Sequence, residues 1–431
     1  MDTREKYDRY VMTSFTAGLE PVVVASAEGA RVTDEDGRSY IDCYSGISVV
    51  NAGHGNPAVR QAAKDQIDRL IHCSSYTYYA QPVANLAERL AEVTPGRLQK
   101  TFFANSGAEG IEAAMRLAKV YTGKHEFIAL ERSFHGRTLG TLSITGNMSR
   151  KTRGGAYASG ISFAPTPYPY RSLFGDDPET VAERAAQAVE DVIRFHTSGD
   201  VAGFIVEPVM GEGGIIVPPA SYLPRVKAVL DRYDILLITD EVQCGFGRTG
   251  KLFAVEHFGV EPDIMVMAKG IADGFPLSAT IARAEIADSF KPGEHLSTFG
   301  GNPVSCAAGL ANLEFMLRED LPGQAAQKGA HALRRLHEMA GRLPAIGEAR
   351  GLGLMLGVEL VSDRERRTPD AALARDVRRY CREHGVLVGV GGTEGNVIRM
   401  QPPLVIAQSE LDEALDVIAA GIESLSAAHA G

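Results

Sequence analysis

From about residue 100 to residue 310 the chain alternates short apolar runs with stretches of helical period, and that alternation leaves few architectures open. The runs are Phe102-Phe103, Phe127 to Leu130, Phe204 to Val206, Ile235 to Ile238 and Ile264 to Ala268. Apolar runs this short read as strands buried on both faces, and strands separated by helices wind into a mostly parallel α/β sheet. Three of the runs end in a charge: Glu207 after Val206, Asp240 after Ile238-Thr239, and Lys269 after Ala268. In an open sheet of this kind the ligand crevice lies outside the carboxyl ends of the strands. Two acids and an amine are therefore expected to face one crevice.

The flanks read differently. Residues 20 to 50 suggest short strands, Ala30 to Thr33 and Ser39 to Ile41, around the turn signal Asp36-Gly37; Val59 to Leu70 and Pro82 to Val93 have helical period. After Leu310 come long amphipathic helices and two strand-like pieces, Leu354 to Leu360 and Val397 to Met400. The expected division is an N-terminal segment, 1–55, joining a small α+β domain at 316–431, with a large domain at 56–315 between them.

A formal charge of −10 without a long basic block argues against nucleic acid or a membrane surface as partner. Five scattered cysteines with no CxxC fit a reducing compartment. With no secretory signal and no bilayer-length apolar run, the expected location is the cytoplasm.

An amine able to form a Schiff base and a carboxylate able to hold a pyridine nitrogen protonated are what pyridoxal-phosphate chemistry requires, and Lys269 and Asp240 offer them. Taken singly, a lysine after an apolar run is a solvated strand end and an aspartate there is a cap. The stretch Asn105-Ser106-Gly107-Ala108-Glu109 leads from a strand into a helix; Ser106, Gly107 and Ala108 form either a phosphate cup of free N–H groups or a plain capped turn. Nucleotide motifs fail: Leu252 stands where GxxxxGK[ST] needs a hydroxyl, and Leu356 where Gly351-Leu352-Gly353 needs a third glycine. Phe134 could stack on a planar ring and Arg137 could clamp a carboxylate, or they could serve as core and surface residues. His54, His135 and His257 lack metal-ligand spacing, and no metal is expected.

Eight stretches in order carry a resemblance. They are Ser45 to Ile47 through Asn51 to His54, Asn105 to Glu109, Phe134 to Thr138, Glu207 to Gly214, Asp240 to Gln243 through Gly245 to Arg248, Ala268 to Gly270, Ser297 to Pro303, and Asn396 to Arg399. Over nearly its whole length the chain resembles the class III (omega) aminotransferases of the fold-type-I pyridoxal-phosphate family, which include 4-aminobutyrate and alanine–glyoxylate (type 2) aminotransferases. The resemblance implies a seven-stranded wound sheet, the cofactor pyridoxal 5'-phosphate and a homodimer or tetramer. It implies that Lys269 carries the Schiff base and shuttles the proton, that Asp240 pairs with the pyridinium, and that Gln243 meets the phenolic oxygen. Phe134 and Val242 would sandwich the ring, with His135 among the cofactor contacts. Ser106, Gly107 and Ala108 would hold the phosphate, with Thr298 reaching it from the neighbouring subunit. Glu207 would lie near the reacting carbon, Arg399 would take an α-carboxylate, and Glu212 would occupy Arg399 when the substrate lacks one. Ile47 and Arg137 complete the substrate contacts, Arg137 at the carboxylate of 4-aminobutyrate-type or ornithine-type donors.

The implied activity is a ping-pong transamination from an amino acid or ω-amino acid to a 2-oxo acid such as 2-oxoglutarate or pyruvate. An amino acid racemase or epimerase of the same family is the alternative, and a catalytically silent binding domain is a third reading. Departures bear on substrate: Ile47 stands where ornithine-specific relatives carry tyrosine, Met210 where glutamine is common, Cys244 where a small hydroxyl is common, and Leu296 where glycine is frequent. Gly110-Ile111 also departs from the usual small-then-polar pair. Tyr76, Tyr78 and Tyr79 fall in a region that either lines the pocket or packs under the N-terminal strands.

Overall fold

The computed structural model describes residues 1–13 and 19–429. Its centre is a seven-stranded sheet in the order Leu98–Ala104, Ser278–Arg283, Ile264–Met267, Leu236–Asp240, Val201–Val206, Glu126–Leu130, Ile161–Ala164. Neighbours are parallel except Ser278–Arg283, which runs antiparallel to both of its partners.

Successive side chains of a strand point to opposite faces, and here both faces are core. Phe204, Val206, Leu237, Met265 and Met267 belong to one buried cluster. Their chain neighbours Ile205, Leu236, Ile238, Ile264 and Val266 belong to another on the opposite side. The helix Gly107–Thr122 adds Ile111, Ala114 and Leu117 to the second cluster. The helices Pro178–Phe195 and Tyr222–Arg232 add Ala185, Val189, Val226 and Leu230 to the first. This two-sided burial explains why the central runs are continuous rather than alternating.

Two smaller sheets flank the large one. Ile346–Leu352, Met355–Asp363, Val397–Met400 and Gly389–Gly391 pair in that order, all antiparallel. Val24–Glu28, Arg31–Asp34 and Ser39–Asp42 form an antiparallel sheet, and Val386–Leu387 extends it in parallel to Ser39–Asp42. The N-terminal strands are thus hydrogen-bonded to the C-terminal part of the chain.

Register sets the site. Val206 lies beside Thr239, and Asp240 beside Val266. The carboxyl ends of three adjacent strands therefore deliver Glu207, Asp240 and, two residues past Met267, Lys269 to one edge of the sheet. No helix among the described residues is long and apolar enough to cross a membrane.

Candidate active site

A cavity of about 390 Å³ opens at that edge. Ser106, Gly107, Ala108, Phe134, His135, Arg137, Glu207, Asp240, Val242, Gln243 and Lys269 all line it. Of the other expected site residues, Glu212 and Arg399 pair with each other beside Lys269, Ile47 stands on a nearby turn, and Thr298 lies elsewhere.

Lys269 leaves its strand with φ 46°, a left-handed conformation that L residues adopt at a cost, and lines the cavity. Burial pushes its amine below the ordinary lysine value, against the opposing pull of the Glu212, Asp240 and Glu207 carboxylates. A depressed amine is a better nucleophile and proton carrier at neutral pH. Asp240 is held from two sides: Oδ1 accepts the Val242 N–H at 3.0 Å, and Oδ2 lies 2.8 Å from His135 Nδ1.

Glu207 is braced more tightly. Its Oε1 accepts the Phe134 N–H and its Oε2 the Gly211 N–H, both at 2.9 Å. Burial lifts its carboxyl to about 7, with His135 pulling the other way. With both oxygens bound to backbone, Glu207 ties the loop that carries Phe134 to the loop that leads to Glu212.

The Ser106 turn proves to be a cap as well as a cavity wall. Ser106 Oγ accepts the Glu109 N–H at 3.3 Å, and Glu109 Oε2 accepts the Ser106 N–H at 3.2 Å. That box leaves the amides of Gly107 and Ala108, the first two of a 16-residue helix, facing the cavity where the helix dipole favours an anion. A Cβ at position 107 would stand 2.8 Å from Val242, so glycine lets the turn close onto the valine. Gln401 donates to Gln243 Oε1 at 3.0 Å, which leaves Gln243 Nε2 for the cavity. Phe134 presents its ring to the cavity, with the Arg137 guanidinium 5.5 Å from its centroid.

An anion cup, Phe134 and Val242 on the cavity wall, the Asp240 carboxylate and the depressed Lys269 amine fit a phosphorylated pyridine aldehyde. The buried His135 Nε2, which has no hydrogen-bond partner among the described residues, adds a polar group to the same cavity.

Arg399 is buried on the Val397–Met400 strand, and its Nη1 lies 2.7 Å from Glu212 Oε1. The guanidinium fits because position 391 is glycine; a Cβ there would come within 2.5 Å of Arg399 Nε. Burial alone would raise the Glu212 carboxyl, but Arg399, Lys269 and Arg150 together hold it at about 2. Ile47 is presented by an unusual turn, Ser45 to Ser48, in which four successive residues have φ between 45° and 70°. Left-handed backbone costs roughly 1–2 kcal/mol at each non-glycine position. Asp42 Oδ1 offsets it by accepting the Tyr44 and Ser45 N–H groups, both at 2.8 Å.

Thr298 is exposed, outside the cavity of its own chain, on the loop whose Ser297 contacts Asn105 at 3.4 Å. Tyr76 packs on Phe102 and bonds the Phe103 backbone, and Tyr78 and Tyr79 are exposed; none of the three lines the cavity. Sequence reasoning missed Val49, Phe275 and Leu277 as cavity walls, and Tyr44 and Arg150 as partners of the Glu212–Arg399 pair. Gly274-Phe275-Pro276, a turn signal just after Lys269, could have revealed Phe275. Arg150 sits in a polar stretch that reads as ordinary surface.

Comparison with known proteins agrees with this geometry. The Aminotransferase class-III family profile matches residues 15–422. An acetylornithine aminotransferase of Methanothermobacter thermautotrophicus is 42% identical over 99% of this chain and 100% of its own. A leucine/methionine racemase of Thermococcus litoralis is 38% identical over 99% and 96%. An amine transaminase from an uncultivated Pseudomonas species, solved in its pyridoxal-phosphate-bound form, superposes with a TM-score of 0.91 at 34% identity, covering 95% of this chain and 97% of that one.

Proposed function

The chain belongs to the class III aminotransferases, pyridoxal-phosphate enzymes, and from that premise we propose that it moves an amino group from an ω-amino acid of the 4-aminobutyrate kind to a 2-oxo acid such as 2-oxoglutarate or pyruvate, in two half-reactions at one site. The observation that carries this reading is the Glu212–Arg399 pair at 2.7 Å. A site that pairs an ω-amino acid donor with a 2-oxo acid acceptor must accept one partner that bears a carboxylate next to the reacting carbon and one that does not. A buried arginine with a removable counter-ion meets both demands, because neither state leaves Arg399 unpaired.

Bound pyridoxal phosphate supplies an electron sink for the carbanion formed at the substrate carbon. In our reading, Lys269 Nζ takes the proton from that carbon, a role favoured by the burial that pushes its amine below the ordinary lysine value. Asp240, oriented by His135, keeps a positive charge on a ring nitrogen. Phe134 and Val242 would hold the cofactor ring, and Gly107 and Ala108 would donate to its phosphate. Glu207 acts as a brace for the loops carrying Phe134 and Gly211 rather than as a proton carrier. Arg137, at the open side of the cavity, takes the distant carboxylate of the donor, and Ile47 bounds its chain. The exposed Thr298 completes the phosphate contacts of a neighbouring subunit, so the working unit is at least a homodimer.

Replacing Arg399 with alanine tests the reading. The loss in kcat/KM is expected to be far larger for glutamate and 2-oxoglutarate than for a simple amine. Equal losses would sink the assignment.

The 38% identity to a racemase supports a second reading, amino acid epimerisation at the same Lys269. Solvent deuterium entering the α-carbon with inversion, and without any 2-oxo acid, would establish it.

A further inference from the structure

Glu212 is held by two arginines, not one. Its Oε1 lies 2.7 Å from Arg399 Nη1, and its Oε2 lies 3.0 Å from Arg150 Nη2. The two cations come from different elements: Arg399 from the small antiparallel sheet, Arg150 from a single turn, Met148–Arg150. That turn is anchored where it starts. The Asn147 N–H bonds the Ser133 carbonyl at 3.0 Å, and Asn147 Oδ1 accepts the Ser149 N–H at 3.1 Å.

The backbone under Glu212 is equally fixed. Its carbonyl accepts the Gly392 N–H at 3.2 Å, Met210 and Ile216 bridge across the loop, and Arg350 donates to the Gly214 carbonyl at 2.6 Å. When Glu212 leaves Arg399, only its side chain can move. The Glu212 and Arg399 side chains are 12% and 2% exposed, so a carboxylate displaced from Arg399 with no other partner would be an uncompensated charge in a dry site.

We propose that Arg150 is a positioning residue for substrate selection: it retains Glu212 when a substrate α-carboxylate takes Arg399. With that carboxylate bound, two cations face two anions, and each carboxylate keeps one arginine. Without Arg150, the incoming carboxylate would have to strand Glu212. Arg150 thereby lowers the cost of the exchange and favours substrates with an α-carboxylate. The inference rests on the reading of Arg399 as the α-carboxylate receptor.

The test is equilibrium binding of 2-oxoglutarate, without amine, to the cofactor-loaded protein by calorimetry. Four proteins form a cycle: wild type, Arg150→Met, Glu212→Gln and the double variant, with thermal midpoints as a check on folding. Arg150→Met is expected to weaken binding about tenfold, a figure discounted for the partial exposure of Arg150. Arg150→Lys should recover part of it. In the Glu212→Gln background, where no charge needs holding, the same change should cost less than about twofold. A loss that persists in that background would mean that Arg150 grips the ligand itself, and would overturn the proposal; so would unchanged binding in Arg150→Met. Arg399→Ala separates the two ideas. If it abolishes binding while Arg150→Met does not alter it, the receptor reading stands and the role of Arg150 falls. If Arg399→Ala also leaves binding intact, both fall.

Discussion

His135 Nδ1 faces Asp240 Oδ2 at 2.8 Å, and both side chains are buried beneath the cavity. The histidine is itself fixed, its backbone N–H donating to Thr145 Oγ1 at 3.0 Å. With the Val242 N–H on its other oxygen, His135 fixes the Asp240 carboxylate that, in our reading, meets the cofactor's ring nitrogen. His135→Ala is therefore expected to slow the amine half-reaction roughly ten- to hundredfold, the loss of one hydrogen bond to a charged group. Stopped-flow measurement of that half-reaction, alongside the thermal midpoint, checks it. A fall in stability with no change in rate would refute the orienting role.

Gly107 and Val242 make a second, reciprocal prediction. A methyl group at 107 would stand 2.8 Å from the valine side chain, so Gly107→Ala must push the cup away from Val242. Overpacking of this kind costs about 1–3 kcal/mol, which should appear as weaker retention of pyridoxal phosphate on dialysis. Val242→Ala removes the clashing atoms, and the double variant should hold the cofactor better than Gly107→Ala alone. No recovery would place the defect elsewhere.

Much of this site is legible in the sequence because the sheet is buried on both faces. Ile235 to Ile238 and Ile264 to Ala268 must be continuous apolar runs, and the charges that end them must emerge together. Ser278–Arg283 escaped notice for the complementary reason. It is buried in the same sheet, yet reads as small and polar because Thr280 Oγ1 bonds the Gly110 carbonyl at 2.9 Å. Ile161–Ala164, at the sheet edge, is only partly buried and has no apolar run to betray it. Tyr44 and Arg150 reach the Glu212–Arg399 pair from turns far away in the chain, and no local pattern encodes a contact made only by tertiary packing.

Glu207 illustrates how position and role can part. It ends a buried run as Asp240 does, but both its oxygens accept backbone N–H groups. In Glu207→Gln one of those amides would face an NH₂ group instead of an acceptor. The expected cost is about 1–3 kcal/mol of stability, with both half-reactions slowed to a similar degree. Loss confined to proton removal from the donor, at unchanged stability, would instead make Glu207 a participant in the chemistry.

Glu241, with Glu207 and Asp273, shapes the pH dependence of stability. Its Oε1 accepts the Val255 N–H at 2.7 Å and its Oε2 the Ala254 N–H at 3.0 Å. Burial nevertheless lifts its carboxyl to about 7, against those two amides and the Cys244 thiol. The folded protein thus keeps this proton to a higher pH than the unfolded chain, whose carboxyl titrates near the ordinary 4.5. The stability it contributes is complete below that value and is lost as pH rises through about 7. Asp273, also lifted to about 7 by burial, acts with the same sign. Glu212, held at about 2, acts with the opposite sign, and its contribution fades only as pH falls well below 4.5. Between about pH 5 and pH 8 the urea midpoint of the cofactor-loaded protein should therefore decline. Glu241→Gln, which cannot titrate, should decline less steeply. Parallel slopes in the two proteins would show that Glu241 is ionised in the folded state throughout this range.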